Sequence, residues 1–443
     1  MTYIVERAAH WAVDYRREPI APEVLHHAKR AVIDLYAAML PGSVMEPAVL
    51  LEKAFREELG HGSSRLVSGG QAHPRLAALI NGTAAHALEI DDIFKDGIYH
   101  PGAPTIPAAL ALAQSLGATG GQFLRAVIVG YEISTRIGGA MGKAHYKYWH
   151  NTGTIGVFGA AAACAELLQL DAGRFAHALA TVATFSAALQ QSFRMDSMSK
   201  PLHAGRAAEA GMTAALAARE GVIGSLDVIE GEAGFGVAMS NGPDWDKAFS
   251  TLGQAFNICR MTFKNHTCCG HTFAAIDGAL ALQERMKVAA KEIERIRVGS
   301  YRAAKEVSHY EAPQTAAEGR FSLKYVVATA LTHGSVRLAA FEPERMNHPE
   351  TRALMQRIDV AIDPELDAAF PHRRSARVEI RTRDGRSEQL LQPNRVGDPE
   401  SPLSDAQLDG KYLEFAVPVL GESRAKDWLA RLWTLEQANS LAV

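Results

Sequence analysis

Residues 81–110 read NGTAAHALEIDDIFKDGIYHPGAPTIPAAL. An alanine-rich run of helical character ends at two adjacent carboxylates, Asp91 and Asp92, and the turn-prone triplet at 95–97 (KDG) leads to His100. A second apolar helical run follows. The stretch therefore predicts two helices joined by a loop that carries acidic and imidazole side chains. Such a loop can be an acid–base site, a metal site, or a plain helix connection whose polar residues only cap and solvate.

Length and composition restrict the class of protein. The 443 residues suffice for two domains and a large buried core. The chain is 47% apolar but only 7% aromatic, so small aliphatic side chains must supply much of the packing, which favours helices over a β-sandwich. A net charge of −3 and the lack of an extended basic run give no reason to expect a nucleic-acid partner. We see neither a signal peptide nor an apolar run of membrane-spanning length, so we expect a cytoplasmic protein without a membrane partner.

Helical periodicity dominates up to about residue 257. The helices predicted in this part lie at 3–18, 22–41, 46–59, 75–90, 103–116, 121–142, 152–170, 174–190 and 203–221. Strand-like segments then appear at 293–299, 357–362 and 376–382, and Asp384-Gly385 predicts a hairpin turn after the last of them. After a Pro/Gly/Ser-rich linker, helices are predicted at 405–418 and 421–438.

These elements predict a mostly α fold in two domains. Residues 1–259 with 400–443 should form a large all-helical domain, because two C-terminal helices alone would leave an apolar face uncovered. Residues 260–399 should form a smaller α+β domain. Within the first domain, Gly153, Gly156 and Gly159 predict close helix–helix approach; a phosphate-binding loop would need a preceding strand and a GxGxxG or GK[ST] signature, and neither is present.

Basic side chains surround a predicted helix start within residues 193–211. Arg194, Lys200, His203 and Arg206 lie there. Positive charge at a helix N-terminus is locally unfavourable, so this group indicates that a bound anion supplies compensation. Solvent-facing basic residues are the plainer interpretation.

Three other stretches carry polar groups. Residues 263–277 crowd Lys264, His266, Cys268, Cys269 and His271 around a glycine turn. Adjacent cysteines do not easily ligate one ion, so a buried structural pair is the simpler interpretation. With no CxxC pair, we do not expect a structural zinc or a four-cysteine iron–sulfur cluster. The other two stretches hold Arg320 and Tyr325 at the start of an apolar helix, and His150 before the glycine-rich one.

Taken in order, four motifs resemble the MmgE/PrpD family. They are NGTAAHALEIDD with the following HPG, then SKPLHAGRAAEAG, then a lysine followed by CCGH and ID, and finally RFSLKYVVATAL. The resemblance spans nearly the whole chain. It implies a large helical domain with a smaller α+β lid, usually as a homodimer, and a site that uses no metal and no cofactor. It also implies a small di- or tricarboxylate as substrate.

Individual residues match site positions of the family. The resemblance implies catalytic roles for His100, Lys200, Lys264, Tyr325 and Asp92, and substrate binding by His150 and His203. From their place in the basic and lid stretches we add Arg194, Arg206, His271 and Arg320 as predicted substrate-binding residues. Within the first motif, we expect His100 to transfer the proton and Asp92 to orient or tune a neighbouring histidine or lysine, and we find no matching ligands nearby that would make a metal site.

The predicted reaction begins with removal of a proton α to a carboxylate. Lysine and arginine donors stabilise the charge that builds up on that carboxylate, and a tuned His or Lys serves as base. We predict a dehydratase-type lyase, with epimerisation or isomerisation, or decarboxylation, of a related dicarboxylate such as iminodisuccinate or cis-aconitate as the alternative. Glu89 stands where the family commonly has aspartate in the motif DxDD. The segment NHTCCGH replaces the FPAE-type sequence that is typical of 2-methylcitrate dehydratases, which puts 2-methylcitrate itself in doubt. A non-catalytic anion-binding protein of the same fold is the second alternative.

Overall fold

The chain folds into two compact units. The computed structural model describes residues 2–193, 197–370 and 372–441. Unit 1 comprises Met1–Phe263 with Ser404–Val443, and unit 2 comprises Lys264–Leu403. Unit 1 is helical apart from a pair of two-residue strands, and unit 2 combines helices with a four-stranded sheet, so the predicted mostly α fold class is confirmed.

The helices and strands have the following bounds. The α-helices up to residue 249 are α1 (Ile4–Tyr15), α2 (Pro22–Gly42), α3 (Ala48–Ala54), α4 (Pro74–His86), α5 (Gly102–Leu116), α6 (Gly120–Tyr146), α7 (Asn151–Thr154), α8 (Gly156–Leu167), α9 (Ala172–Ala183), α10 (Ser199–Arg219), α11 (Phe235–Met239) and α12 (Trp245–Phe249). Those that follow are α13 (Phe273–Met286), α14 (Arg302–Val307), α15 (Ala316–Arg320), α16 (Leu323–His333), α17 (Pro343–Met346), α18 (Pro349–Met355), α19 (Pro364–Ala369), α20 (Asp405–Leu420) and α21 (Glu422–Trp433). The strands are β1 (Ser64–Arg65), β2 (Gln71–Ala72), β3 (Ile293–Ser300), β4 (Ile358–Ile362), β5 (Ala376–Thr382) and β6 (Ser387–Gln392). Among the described residues, no helix combines the length and the apolar character needed to cross a membrane.

Three predicted helices differ most from the observed ones. The helix expected over 46–59 is the short α3, the one expected over 174–190 already ends at Ala183, and the one expected over 152–170 is broken into α7 and α8. The run is rich in glycine. Glycine holds helical geometry weakly because its backbone loses much entropy on folding, which accounts for the break. It leaves His150 as the residue before a separate helical turn, α7.

Helices α4 and α10 cross at close range because each has a glycine at the contact. A Cβ built on Gly82 would lie 2.9 Å from the Cα of Gly205, closer than real side chains come. His86 lies one turn beyond Gly82, and His203 lies two residues before Gly205. The crossing therefore brings the end of α4 and the start of α10 together.

The predicted close approach of the glycine-rich helix is confirmed. A Cβ on Gly156 would lie 2.5 Å from the Cγ of Pro104 in α5, and one on Gly159 would lie 2.9 Å from the Oγ of Ser134 in α6. All residues of α8 are buried. Helix α8 is thus the centre of unit 1, and the glycines let α5 and α6 pack directly against it.

Unit 2 is built on a mixed sheet with strand order β4-β3-β5-β6. Strand β3 pairs parallel with β4 and antiparallel with β5. Strands β5 and β6 form the predicted hairpin, with Gly385 at a φ of +91° in the turn. Apolar residues of α13, α16 and α18 cover one face of the sheet and form the core of the unit. The alternation of buried and exposed residues along β5 agrees with a sheet covered on one face.

A buried ion pair ties the C-terminal helices to the N-terminal ones. Lys411 of α20 donates to Asp34 of α2 at 2.6 Å and to the carbonyl of Ile90 at 2.8 Å. Both charged side chains are at most 1% exposed. Ile90 is the residue before Asp91, so Lys411 also holds the loop that carries the two predicted carboxylates.

Replacing Lys411 by methionine is expected to destabilise unit 1 by about 3–5 kcal/mol, because the Asp34 charge would stay buried without its cation. The double variant Lys411→Met/Asp34→Leu should recover most of that loss. Urea unfolding followed by circular dichroism measures both. The matched control is Lys426→Met, which removes an exposed pair with Glu422 and should cost less than about 1 kcal/mol. Equal losses in the two single variants would contradict the prediction.

His145 at the end of α6 is a buried structural histidine. Its Nε2 lies 2.6 Å from the hydroxyl of Thr154 and its Nδ1 lies 3.0 Å from the carbonyl of Met239. The carbonyl can only accept, so Nδ1 carries the proton. Burial lowers the pKa of His145 to about 4, although the bond to Met239 opposes this shift. The folded protein therefore holds this imidazole neutral.

Stability should fall as the pH drops from about 6.5 towards 4, because the unfolded chain then binds a proton that folded His145 does not. For this residue alone we expect a loss of about 2 kcal/mol between pH 7.5 and pH 5. His145→Gln should be less stable at pH 7.5 and should lose correspondingly less on acidification. Unfolding free energies at the two pH values test this. His61→Asn, at an exposed histidine, should leave the pH dependence unchanged; a parallel fall in wild type and His145→Gln would refute it.

Candidate active site

A group of histidines and carboxylates gathers in unit 1 where three segments meet. His86 ends α4, and the loop 87–101 carries Glu89, Asp91 and His100. His150 is the residue before α7. Lys200 and His203 lie in the first turns of α10. We call the set His86, Glu89, Asp91, His100, His150, Lys200 and His203 the histidine cluster.

Asp91 is the buried acceptor of the histidine cluster. Its Oδ2 lies 2.8 Å from Nδ1 of His86 and 3.3 Å from Nδ1 of His100. Burial would raise the pKa of Asp91, but the neighbouring His86 and His100 outweigh it and hold that pKa well below the usual value. A carboxylate only accepts, so Nδ1 of His86 donates a hydrogen bond to Asp91, and Nδ1 of His100 faces the same oxygen at ion-pair distance. The carboxylate thus fixes the tautomer of both rings and leaves Nε2 of His100 as the nitrogen for chemistry.

The two rings differ in their access to solvent. The His86 side chain is fully buried, whereas that of His100 is 13% exposed. His86 stacks on His150 with ring centroids 5.3 Å apart, and its edge meets His100 at 4.8 Å. His100 is therefore the partly exposed ring of the two, and His86 is enclosed behind it.

His150 and His203 form a neutral pair. Their Nδ1 atoms lie 3.0 Å apart, so one ring donates and the other accepts. Burial, followed by the nearby His86 and Lys200, lowers the pKa of His150 well below the usual value and that of His203 to about 4. At neutral pH these two rings can therefore donate or accept hydrogen bonds without adding charge.

Lys200 supplies a positive charge beside these rings. Its Nζ lies 2.5 Å from Oε1 of Glu89, and its side chain is 17% exposed. Glu89 has a left-handed backbone conformation with a φ of +55°, which is uncommon for a residue other than glycine. Such a conformation persists only where the surroundings enforce it, and it lies here at the turn that aims Glu89 at Lys200.

Asp92 points away from the histidines. Its carboxyl group contacts the hydroxyl of Tyr131 at 2.8 Å and the backbone N–H of Gly102 at 3.0 Å. Burial and the nearby charges of Asp34 and Asp91 raise its pKa well above the usual value, although the Tyr131 hydroxyl opposes this shift. The sequence analysis assigned the orienting role to Asp92; the structure brings Asp91, and not Asp92, to the histidines. Asp92 instead ties the loop to the start of α5 and to α6.

Another predicted residue of unit 1 is not part of this group. Arg206 is exposed and pairs with Glu209 on the same helix. That pair accounts for its charge without a bound anion. Arg194 lies outside the described residues.

Four predicted residues belong to unit 2. Tyr325 is buried in the core of that unit, where its hydroxyl donates to the carbonyl of Ala340. His271 bonds the hydroxyl of Tyr301 at 2.9 Å, and Arg320 lies over the ring of Phe341. Lys264 is half-buried at the start of the unit. The predicted functions of Tyr325, Lys264, His271 and Arg320 stay predictions.

His86, Glu89 and Asp91 were not among the predicted site residues. The sequence does contain a signal, because His86 and Asp91 are five residues apart across the end of a helix. With His86, this group contains three side chains of the types that bind metal ions. The ligand atoms of His86, Asp91 and His100 lie within 4.8 Å of one another, a set that could hold a metal ion. The hydrogen bonds to Asp91 account for the same positions, and the absence of a metal from the reaction stays a prediction.

Two family models and several individual proteins are similar to this chain. The model of the MmgE/PrpD N-terminal domain matches residues 6–248, and that of the C-terminal domain matches residues 266–437. A cis-aconitate decarboxylase-like protein of Aspergillus oryzae is 26% identical over 95% of this chain and 92% of its own length. The cis-aconitate decarboxylases of Homo sapiens and Mus musculus are 25% and 26% identical, over 96% and 84% of this chain and 90% and 77% of their own lengths. The domain matches cover most of both units, and the chain belongs to the MmgE/PrpD family.

Proposed function

We propose that this protein is a lyase that decarboxylates a small unsaturated di- or tricarboxylate of the cis-aconitate type. The arrangement around His100 carries the proposal. Nδ1 of this partly exposed imidazole faces the buried Asp91, and the ring lies in one cluster with the cation Lys200. The sequence analysis placed dehydration first. The similarity to the cis-aconitate decarboxylases of Homo sapiens and Mus musculus supports decarboxylation ahead of it.

The chemistry of such a substrate defines what the site must do. When a carboxylate sits on the carbon next to a C=C bond, its C–C bond breaks to release CO₂ and its electron pair forms a new double bond. The old double bond's electron pair moves to the carbon that bears a second carboxylate, and a proton must be delivered there. The net change is loss of CO₂ and uptake of one proton. The site therefore needs a cation for the second carboxylate and a proton donor.

The histidine cluster contains both groups. Lys200 can bind the carboxylate on which charge develops, and removal of one such donor typically lowers a rate by about 10²–10³. His100 delivers the proton from Nε2, while Asp91 stabilises the protonated ring and keeps it oriented, in the manner of the aspartate in a catalytic triad. The neutral pair of His150 and His203 adds hydrogen bonds for the remaining carboxylates. Glu89 holds Lys200 in position before substrate arrives.

A substrate panel in D₂O tests the reaction class. We expect the purified protein to convert cis-aconitate to CO₂ and a product that carries one new deuterium on the carbon that accepts the proton. 2-Methylcitrate, citrate and iminodisuccinate serve as the other members of the panel. Loss of water, or exchange with inversion of the α carbon, would instead indicate a dehydratase or an epimerase. His100→Asn and Lys200→Ala should be inactive, and His10→Asn, an exposed histidine on α1, should be fully active. No turnover or deuterium entry with any member would overturn the enzyme proposal for this panel.

Asp91 is proposed as a positioning residue, and its replacement tests that role separately. Asp91→Asn should lower kcat by about 10²–10⁴ with little change in KM, because the His100 tautomer is lost while substrate binding remains. The pH–rate profile should also change, since the buried charge that favours protonated His100 is gone. Asp96→Asn is the matched control on the same loop, where an exposed carboxylate pairs with Arg260, and should change kcat less than about twofold. An unaltered pH profile in Asp91→Asn would refute the role.

A further inference from the structure

A second group of possible metal ligands lies outside the histidine cluster. Glu23 and His27 are one turn apart on α2, and Cys259 lies on the 3-10 turn Asn257–Arg260 that packs against this helix. The carboxylate oxygen, imidazole nitrogen and sulfur atom all lie within 4.8 Å of one another. The mechanism above uses none of the three residues.

The structure gives these three side chains no other polar partner among the described residues. Among the described residues, none of the three makes a hydrogen bond or an ion pair through its side chain, although His27 and Cys259 are half-buried. Arg30, which lies one turn beyond His27 on α2, is paired with Asp405. Half-buried polar groups with no partner usually have a reason in a native protein.

The ligand chemistry selects the metal. One sulfur, one imidazole nitrogen and one carboxylate oxygen are the donor types of zinc sites, whereas magnesium and calcium take oxygen ligands alone. Zinc–ligand bonds of about 2.0–2.3 Å put tetrahedral ligands roughly 3.3–3.8 Å apart, so the group must contract by about 1 Å. Glu23 is exposed and can supply that movement. A water molecule would complete the tetrahedral coordination.

We propose that Glu23, His27 and Cys259 bind one Zn²⁺ ion as a structural site. On binding, the Cys259 thiol gives its proton to solvent and the thiolate ligates the ion. The ion would fasten the turn 257–260 to α2. Thr262, just beyond that turn, pairs through its backbone with Ile93 at 2.8 Å in both directions, and Ile93 is two residues from Asp91. The zinc ion would thus stabilise the backbone pairing of Thr262 with Ile93, and through it the loop that carries Asp91.

Cobalt titration of the reduced, metal-free full-length protein tests the site directly. One equivalent of Co²⁺ should produce the near-ultraviolet band of a thiolate–cobalt bond, and Zn²⁺ should displace it. Because His86, Asp91 and His100 include no sulfur, that alternative group cannot give this band. Zn²⁺ should also raise the melting temperature by a few degrees.

Variants identify the ligands. Cys259→Ser should abolish the band and the rise in melting temperature, while Cys268→Ser and Cys269→Ser should retain both. His27→Gln and Glu23→Gln should weaken cobalt binding by about 10²-fold or more. Circular dichroism of each metal-free variant checks that it folds. A wild-type protein without the band, or a band that survives in Cys259→Ser and disappears in Cys268→Ser or Cys269→Ser, would overturn the proposal.

Discussion

The buried charge of Asp91 is the constraint on which the candidate site depends. A carboxylate removed from water is stable only if partners compensate it, and here two imidazole N–H groups do so. That requirement orients His86 and His100 and determines which of their nitrogens is left for chemistry. His86 stacks on His150, and His150 contacts His203. The orientation of the rings is thereby extended to α7 and α10.

The pKa values of neighbouring carboxylates in this region shift in opposite directions. The pKa of Asp91, which faces His86 and His100, is held well below the usual value, whereas burial and the charges of Asp34 and Asp91 raise the pKa of Asp92, which faces Tyr131. Asp34 in turn lies 2.6 Å from the ammonium group of Lys411. Close carboxylates in a buried site disfavour each other's ionisation. The carboxylate whose pKa is lowered is the one that faces two imidazole rings.

Small residues allow these polar groups to meet. The crossing at Gly82 and Gly205 lets α4 and α10 approach more closely than any side chain would allow, which places His86 near His203. The glycines of α8 do the same for α5, whose start is bonded to Asp92. The high content of small residues therefore does more than favour helix formation. It is the condition under which a cluster of four histidines can be assembled from three separate segments.

Helical periodicity and the strand and turn patterns of the second half were enough to predict a mostly α chain with a smaller mixed unit. The motifs pointed to His100, His150, Lys200 and His203, which the structure brings into one cluster. Tyr325 was predicted in the same way, and its hydroxyl bonds a backbone carbonyl that lies 15 residues further along the chain, a contact that no local pattern indicates. The motifs failed for Asp91, because adjacent residues on a loop look equivalent until the backbone assigns each a direction.

The amino-acid sequence by itself thus determined the secondary structure, the order of the motifs and the family, since these depend on local periodicity and on residue types along the chain. Only the tertiary structure decided that Asp91 and not Asp92 meets the histidines, that His86 joins them, and that Glu89 pairs with Lys200. These contacts depend on a left-handed turn at residue 89 and on the crossing of two helices more than 100 residues apart. Charge and burial in three dimensions, which no local pattern encodes, then set the protonation state of each group.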